Sequence, residues 1–193
     1  MSETDFMSLF FPEDFVKKIE ITEIMPCAVE ADGIRFLAQA DRPVTEVLQV
    51  LFLVFPNATY SEKIGFLSYK TQERIVSIFP NGKISMTHVK DKETAIKLVE
   101  ELRKTLNRAS IYLKTHGLPG NELAEQKKAL TAKKLYDVLP KTNCKKCGEQ
   151  SCFAFATKLL IAEKRPEDCK PLSTEQKTET RLQLEKMLSP IKL

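Results

Sequence analysis

The chain has 193 residues, with 30 Lys and Arg against 26 Asp and Glu, and no tryptophan. That length suits one full domain with a smaller appended module. No apolar run approaches the roughly 18 residues of a helical membrane span. The stretch Met1 to Phe15 carries Glu3, Asp5, Glu13 and Asp14 but no Lys or Arg, unlike a secretory leader; a cytoplasmic protein without membrane contact is expected.

Charge is unevenly spread. Residues 1–112 hold 14 basic and 16 acidic side chains, whereas residues 113–193 hold 16 basic and 10 acidic. Positive charge therefore gathers on the C-terminal part. Such a patch suits nucleic acid, an acidic protein partner, or an anionic group built into the chain itself.

Val16 to Ala109 reads as one α+β domain. Lys18 to Glu23 alternates like a short strand, and Gly33 to Ala40 is a second candidate. Asp41 is the expected N-cap, with Pro43 in the first turn, of a buried helix over Val44 to Phe55. Three strands follow, over Lys63 to Tyr69, Glu73 to Phe79 and Lys83 to Val89. Pro80-Asn81-Gly82 joins the last two, and Asn-Gly is a strong hairpin signal. Asp91 caps a long helix whose apolar residues, from Ala95 to Leu106, recur at helical spacing. The expectation is an antiparallel sheet with helices on one face.

"KTHGLPG", Lys114 to Gly120, reads as a hinge. A helix over Asn121 to Leu139 follows, and Pro140 ends it. A further helix begins at Cys152. Ser173 caps a polar tail helix over Thr174 to Leu188, with Gln176 completing a capping box and Glu175 suiting the positive end of its dipole. The expected division is an α+β domain over 1–112, a hinge over 113–120 and a mainly helical module over 121–193.

The β-α-β-β-β-α order, with "IVSIFPNGKISMTHVKDKETAIKLVEEL" from Ile75 to Leu102, resembles one half of a TATA-box-binding-protein-like fold over roughly residues 34–108. That family binds DNA with two such repeats and wedges paired phenylalanines into the minor groove. Here there is one repeat. Phe79 alone falls at a wedge-like position, and the domain is slightly acidic. DNA binding draws on clustered basic residues, so the domain reads as a scaffold or pairing unit, able to form a homodimer, rather than a nucleic-acid binder.

Four of the five cysteines fall in one stretch, Cys144, Cys147, Cys152 and Cys169, at the spacing C-x2-C-x4-C-x16-C. In a reducing compartment, clustered thiols are metal ligands or redox groups more often than disulfides. Gly148, after the second cysteine, permits positive φ. Cys152 opens a helix, where unpaired N–H groups stabilise a thiolate. Zinc takes four thiolates in a tetrahedral site, usually from two C-x2-C knuckles. Three compact ligands and a distant fourth suit a cubane better, because its corners are spread wider than one ion. Spacing alone leaves both open.

The stretch "LPKTNCKKCGEQSCFAFATKLL…EDCKPL" closely resembles the cluster domain of the large subunit of the corrinoid iron–sulfur protein of anaerobic acetyl-CoA metabolism. A looser likeness is to the B subunit of Rnf-type electron-transport complexes. The resemblance spans about residues 135–172. It implies one [4Fe-4S] cluster on Cys144, Cys147, Cys152 and Cys169, passing single electrons. Glu149, Gln150 and Ser151 stand where the family usually has an aromatic and a proline, and Lys170 replaces a common proline. Nothing in the chain matches that protein's barrel or cobamide-binding domain, so methyl transfer and corrinoid binding do not carry over.

Elsewhere the chemistry is sparse. Cys27 reads as a small buried hydrophobe. His88 and His116 have no neighbouring nucleophile or ligand cluster, which leaves acid–base catalysis without support, and phosphate-binding and dinucleotide motifs are missing. The expectation is therefore an electron-transfer protein without its own catalytic site. It would serve a larger redox enzyme or acidic partner, placed by resemblance in one-carbon metabolism, with Lys145 and Lys146 positioned to dock that partner. A redox sensor that binds nucleic acid through the N-terminal domain and a structural zinc module are the alternatives.

Overall fold

The computed structural model describes residues 14–27, 33–61, 63–71, 74–172 and 178–193. Its first part runs β1 (Ile19–Pro26), β2 (Ile34–Ala40), α1 (Thr45–Val54), β3 (Thr59–Ser61), β4 (Phe66–Thr71), β5 (Arg74–Ile78), β6 (Lys83–Val89) and α2 (Lys92–His116). The six strands form one sheet in the order β1-β2-β6-β5-β4-β3, and every neighbouring pair is antiparallel.

Period-two alternation places one row of β2, β4, β5 and β6 in the core. Phe36, Leu67, Ile78 and Ile84 are all fully buried, and α1 and α2 pack into the same cluster. Each such side chain contributes about 1.5–3 kcal/mol relative to exposure. α1 buries six of its ten residues, as its nearly continuous apolar sequence requires. The α+β class and the helix-covered antiparallel sheet are thus as expected.

Several local expectations are revised. Asp41 is not the cap of α1. The helix begins one turn later, and the Val44 N–H bonds to Pro80 O at 2.8 Å. The Asp41 carboxylate instead accepts from Lys17 N at 3.1 Å. The strand expected from Lys63 begins at Phe66, after a turn in which Gly65 has φ 64°. β3 was not expected; it has three residues, too few for a periodic signal. In the β5–β6 turn only Gly82 takes positive φ, at 84°. Phe79 N bonds Lys83 O, and Gly82 N bonds Phe79 O, so the turn is the three-residue, bulged kind. A Cβ on Gly82 would stand 2.5 Å from Arg42 O.

The chain enters β1 through a polar latch. Asn107, on α2, is 8% exposed. Its Oδ1 accepts from Val16 N at 2.7 Å, and its Nδ2 donates to Val16 O at 3.1 Å. Arg103, one turn earlier, holds Asp14 and Glu100.

α2 runs through Lys114–His116, so these residues, expected in a hinge, are helical, and Gly117 follows with φ 73°. The expected helix over Asn121 to Leu139 is two: α3 (Asn121–Lys128) and α4 (Ala132–Val138). Thr131 restarts the second by accepting from Lys134 N. The chain continues with α5 (Cys152–Leu160), short 3-10 turns at Pro166–Asp168 and Lys170–Leu172, and α6 (Thr178–Leu188). The expected cap at Ser173, with Glu175 and Gln176, lies outside the described residues.

A second apolar core forms here from Leu135, Leu139, Phe155, Leu159, Leu172 and Leu184, with Cys169 at its edge. Lys127 ties α3 to α1 of the first core. Its ammonium donates to Phe52 O and Phe55 O at the end of α1 and lies 5.2 Å from the centroid of the Phe52 ring. Burial pushes its pKa down to about 7, while the carbonyl acceptors at the negative end of α1 favour the charged form. No described helix is long and apolar enough to cross a membrane.

Candidate metal centre

Cys144, Cys147, Cys152 and Cys169 all border one narrow cavity, together with Thr142, Asn143, Glu149 and Phe155. Three separate segments supply them. Cys144 and Cys147 lie in the loop after α4, Cys152 is the first residue of α5, and Cys169 follows the 3-10 turn at Pro166–Asp168. Cys144 is exposed, Cys147 and Cys152 are half-buried, and Cys169 is buried. Among the described residues, no group of three or more His, Cys, Asp and Glu is arranged to hold a single metal ion.

The loop is unusually contorted. Lys141, Asn143 and Lys145 have φ of 56°, 47° and 59°, and Gly148 has φ 85°. Three of the five non-glycine residues with positive φ among those described therefore fall within five positions. Left-handed backbone costs an ordinary residue about 1–2 kcal/mol, and such strain gathers at functional sites. Alternating hand turns successive N–H groups inward, forming the concave nests that hold anions and iron–sulfur centres. Gly148 supplies conformation rather than room, because an added Cβ there would meet nothing within 4 Å.

Asn143 clasps this loop to α5. Its Oδ1 accepts from Cys152 N at 2.8 Å, and its own N–H points to Cys152 Sγ at 3.4 Å. Ser151 caps the same helix by accepting from Ala154 N at 3.1 Å. The lead-in "KTN" and the serine before the helix were visible in the sequence, but these pairings were not. Pro166 starts the turn that delivers Cys169, and the Asp168 carboxylate closes it on Arg165 N at 2.8 Å. Phe155, 1% exposed, floors the cavity.

Electrostatics differ among the sulfurs. The Lys146 N–H and the Thr142 hydroxyl hold the Cys144 thiol below its usual range. Burial pushes the Cys169 thiol up; the Leu172 N–H opposes this, and the other three cysteines reinforce it. Glu149, whose side chain is 11% exposed, pairs with Lys158 at 3.0 Å and Lys164 at 3.9 Å. Lys164 also donates to Cys147 O at 3.1 Å. Two lysines beyond the cysteine loop thus pin the segment between the second and third cysteines, a task that neither an aromatic nor a proline could perform.

Lys145 and Lys146 are exposed. Phe153, 49% exposed, meets Tyr136 edge to face at 5.6 Å, and Lys141 Nζ lies 5.2 Å from the Tyr136 centroid. Cys27 is half-buried rather than buried. His88 bonds the Thr87 hydroxyl and His116 stacks on Tyr112; neither lines the cysteine cavity.

The protein-family model described as "Putative Fe-S cluster" matches residues 139–171, all four cysteines included. The chain is also similar to the gamma subunit of the acetyl-CoA decarbonylase/synthase complex from Methanocaldococcus jannaschii, 44% identical over 63 residues. That stretch is 33% of this chain and 13% of the relative. The Methanothermobacter thermautotrophicus subunit is 49% identical over 61 residues, 32% of this chain and 12% of the relative. A Methanosarcina thermophila subunit, gamma 2, is 46% identical over 56 residues, 28% of this chain and 12% of the relative. The similarity thus spans about an eighth of the curated relatives' length. No solved structure matches.

Proposed function

We propose that residues 121–193 form a module holding one [4Fe-4S] cluster on Cys144, Cys147, Cys152 and Cys169, and that the protein passes single electrons to or from a larger enzyme of anaerobic one-carbon metabolism. The carrying observation is the convergence of all four cysteines, from three segments, on one cavity walled by left-handed backbone. The donor set fits: four thiolates, inward N–H groups to stabilise net negative charge, and an apolar floor at Phe155. The relatives named above are subunits of a multi-subunit complex, which supports a protein partner of larger size.

A bound cluster supplies a one-electron couple at low potential. The chain's residues do the rest. Lys145 and Lys146 place positive charge beside two ligands and favour the more negative reduced state. Asn143 and Ser151 fix the start of α5, and with it Cys152. Cys144 forms the exposed edge. Around it, Lys141, Lys145, Lys146 and Phe153 make a basic face with one apolar contact, suited to an acidic partner.

The test is anaerobic purification, with iron, sulfide and zinc counted on one sample. About four irons per chain and a broad band near roughly 400 nm that bleaches with dithionite are expected. Replacement of any of the four cysteines by serine should lower the iron count, whereas Cys27→Ser should not. About one zinc per chain and no colour would remove the electron-transfer reading and leave a structural zinc module.

A further inference from the structure

A cavity far larger than the one at the cysteines lies between the first core and the second. It is a cleft of about 600 Å³, a volume within the range of small-molecule sites. Its floor is the helix-side face of the sheet at Tyr69, Val76 and Met86, flanked by Phe55 and by Leu102 of α2. Leu159, Pro166 and Leu188 close the opposite wall. The body of the cleft is therefore apolar.

Charged side chains also line it, five basic (Lys70, Arg74, Lys164, Arg165 and Lys192) against three acidic (Glu101, Glu167 and Glu185), and two of the polar groups stand where the apolar pattern would exclude them. In β5, Arg74 shares its face with Val76 and Ile78, which are buried against the helices. Alternation calls for an apolar side chain there, yet the sequence places a guanidinium at the cleft mouth. Among the described residues, no hydrogen bond or ion pair engages it. Tyr69 is 7% exposed and stacks on Phe55, with ring centroids 3.7 Å apart. Its hydroxyl likewise has no hydrogen-bond partner among the described residues and is not sealed from solvent, so it opens on the cleft. Burial keeps this phenol protonated, so it remains a donor. Meanwhile Glu185, a carboxylate of the same lining, is already held by Lys192 at 3.0 Å and Arg181 at 3.5 Å. Among the described residues these two donors are unengaged, and this acceptor is spent.

We propose that this cleft binds a flat organic anion, its aromatic body against the Phe55–Tyr69 pair and its carboxylate, sulfonate or phosphate on Arg74 and the Tyr69 hydroxyl. The inference does not rest on the cysteines holding a cluster. Lys164 nonetheless joins the two places, because it lines the cleft and donates to Cys147 O at 3.1 Å.

The test is equilibrium dialysis of the full chain against two dyes of one shape, 1-anilinonaphthalene-8-sulfonate and the uncharged N-phenyl-1-naphthylamine. One saturable sulfonate site per chain is expected, with affinity about tenfold above that for the neutral dye, the worth of one charge-assisted hydrogen bond. Arg74→Gln should erase that preference. Tyr69→Phe, which removes one oxygen and leaves the packing, should weaken the sulfonate a few-fold. Lys90→Gln, outside the cleft, should change neither dye. Iron content, counted in every variant, should not move, which separates this outcome from that of the cluster. Equal affinity for the two dyes in all variants would mark an apolar surface for a protein partner and overturn the proposal. The absence of saturable sulfonate binding would overturn it as well.

Discussion

The clasp at Asn143 yields an ordering of three variants that changes when the site is loaded. In the metal-free chain, Asn143 does two things: its Oδ1 accepts from Cys152 N at 2.8 Å, and it tolerates φ 47°. Losing the acceptor exposes one of the orphan N–H groups of a helix start, at a cost of about 1 kcal/mol. Losing the tolerance of left-handed backbone costs about another 1 kcal/mol. Asn143→Ala loses both, about 2 kcal/mol. Asn143→Gly loses only the first. Asn143→Asp keeps both, and its charge suits the dipole of α5. Amide exchange over the peptide 139–160 reads this locally, since 1.4 kcal/mol is about tenfold in an opening constant. Exchange should be about thirtyfold faster for Ala, about fivefold faster for Gly and nearly unchanged for Asp. Once four thiolates hold a metal group, the aspartate faces negative charge, and Asn143→Asp should lose iron first. Equal exchange in Ala and Gly, or Asp as the most destabilised metal-free variant, would refute the reasoning.

Other positions give further measurements. Asn107→Ala strips Val16 N of its partner, while Val16 O keeps Arg103 at 3.3 Å; a loss of about 2–3 kcal/mol in urea unfolding is expected. Lys127 sets a pH dependence. Its folded pKa, about 7, lies below the ordinary 10.5, so the unfolded chain binds more protons between these values. Stability should therefore rise from pH 7 to pH 9, and Lys127→Met should flatten that slope while weakening the fold by uncapping two carbonyls. Gly82→Ala and Gly148→Ala share nearly the same φ but not the same surroundings. The first also collides with Arg42 O and should cost well over 2 kcal/mol, the second only about 1–2 kcal/mol, as paired thermal melts would show.

What could be read from the residues follows a physical division. Sheet alternation, the apolar α1 and the Asp91 cap are local patterns, and they appear as such; Asp91 accepts from Thr94 N at 2.7 Å. The start of α1 was misplaced because Pro80, 36 residues away from Val44, takes the N–H that Asp41 was expected to satisfy. The break between α3 and α4 hides in a run with no glycine or proline. At the cysteines, spacing pointed to a shared site and Gly148 to a left-handed residue. Nothing local marked Lys141 and Lys145 as left-handed, because that conformation is imposed by closing the loop onto α5. The roles of Glu149 and Lys164 depend on a contact across the loop and were equally hidden. The cleft could not be foreseen at all, since its walls come from both cores.

The make-up of the second core has a bearing on how such a segment travels. Its buried side chains all fall between Leu135 and Leu188, so the cysteine loop brings its own packing with it. A similar segment makes up about an eighth of the gamma subunits, so its packing need not depend on one particular neighbouring sequence.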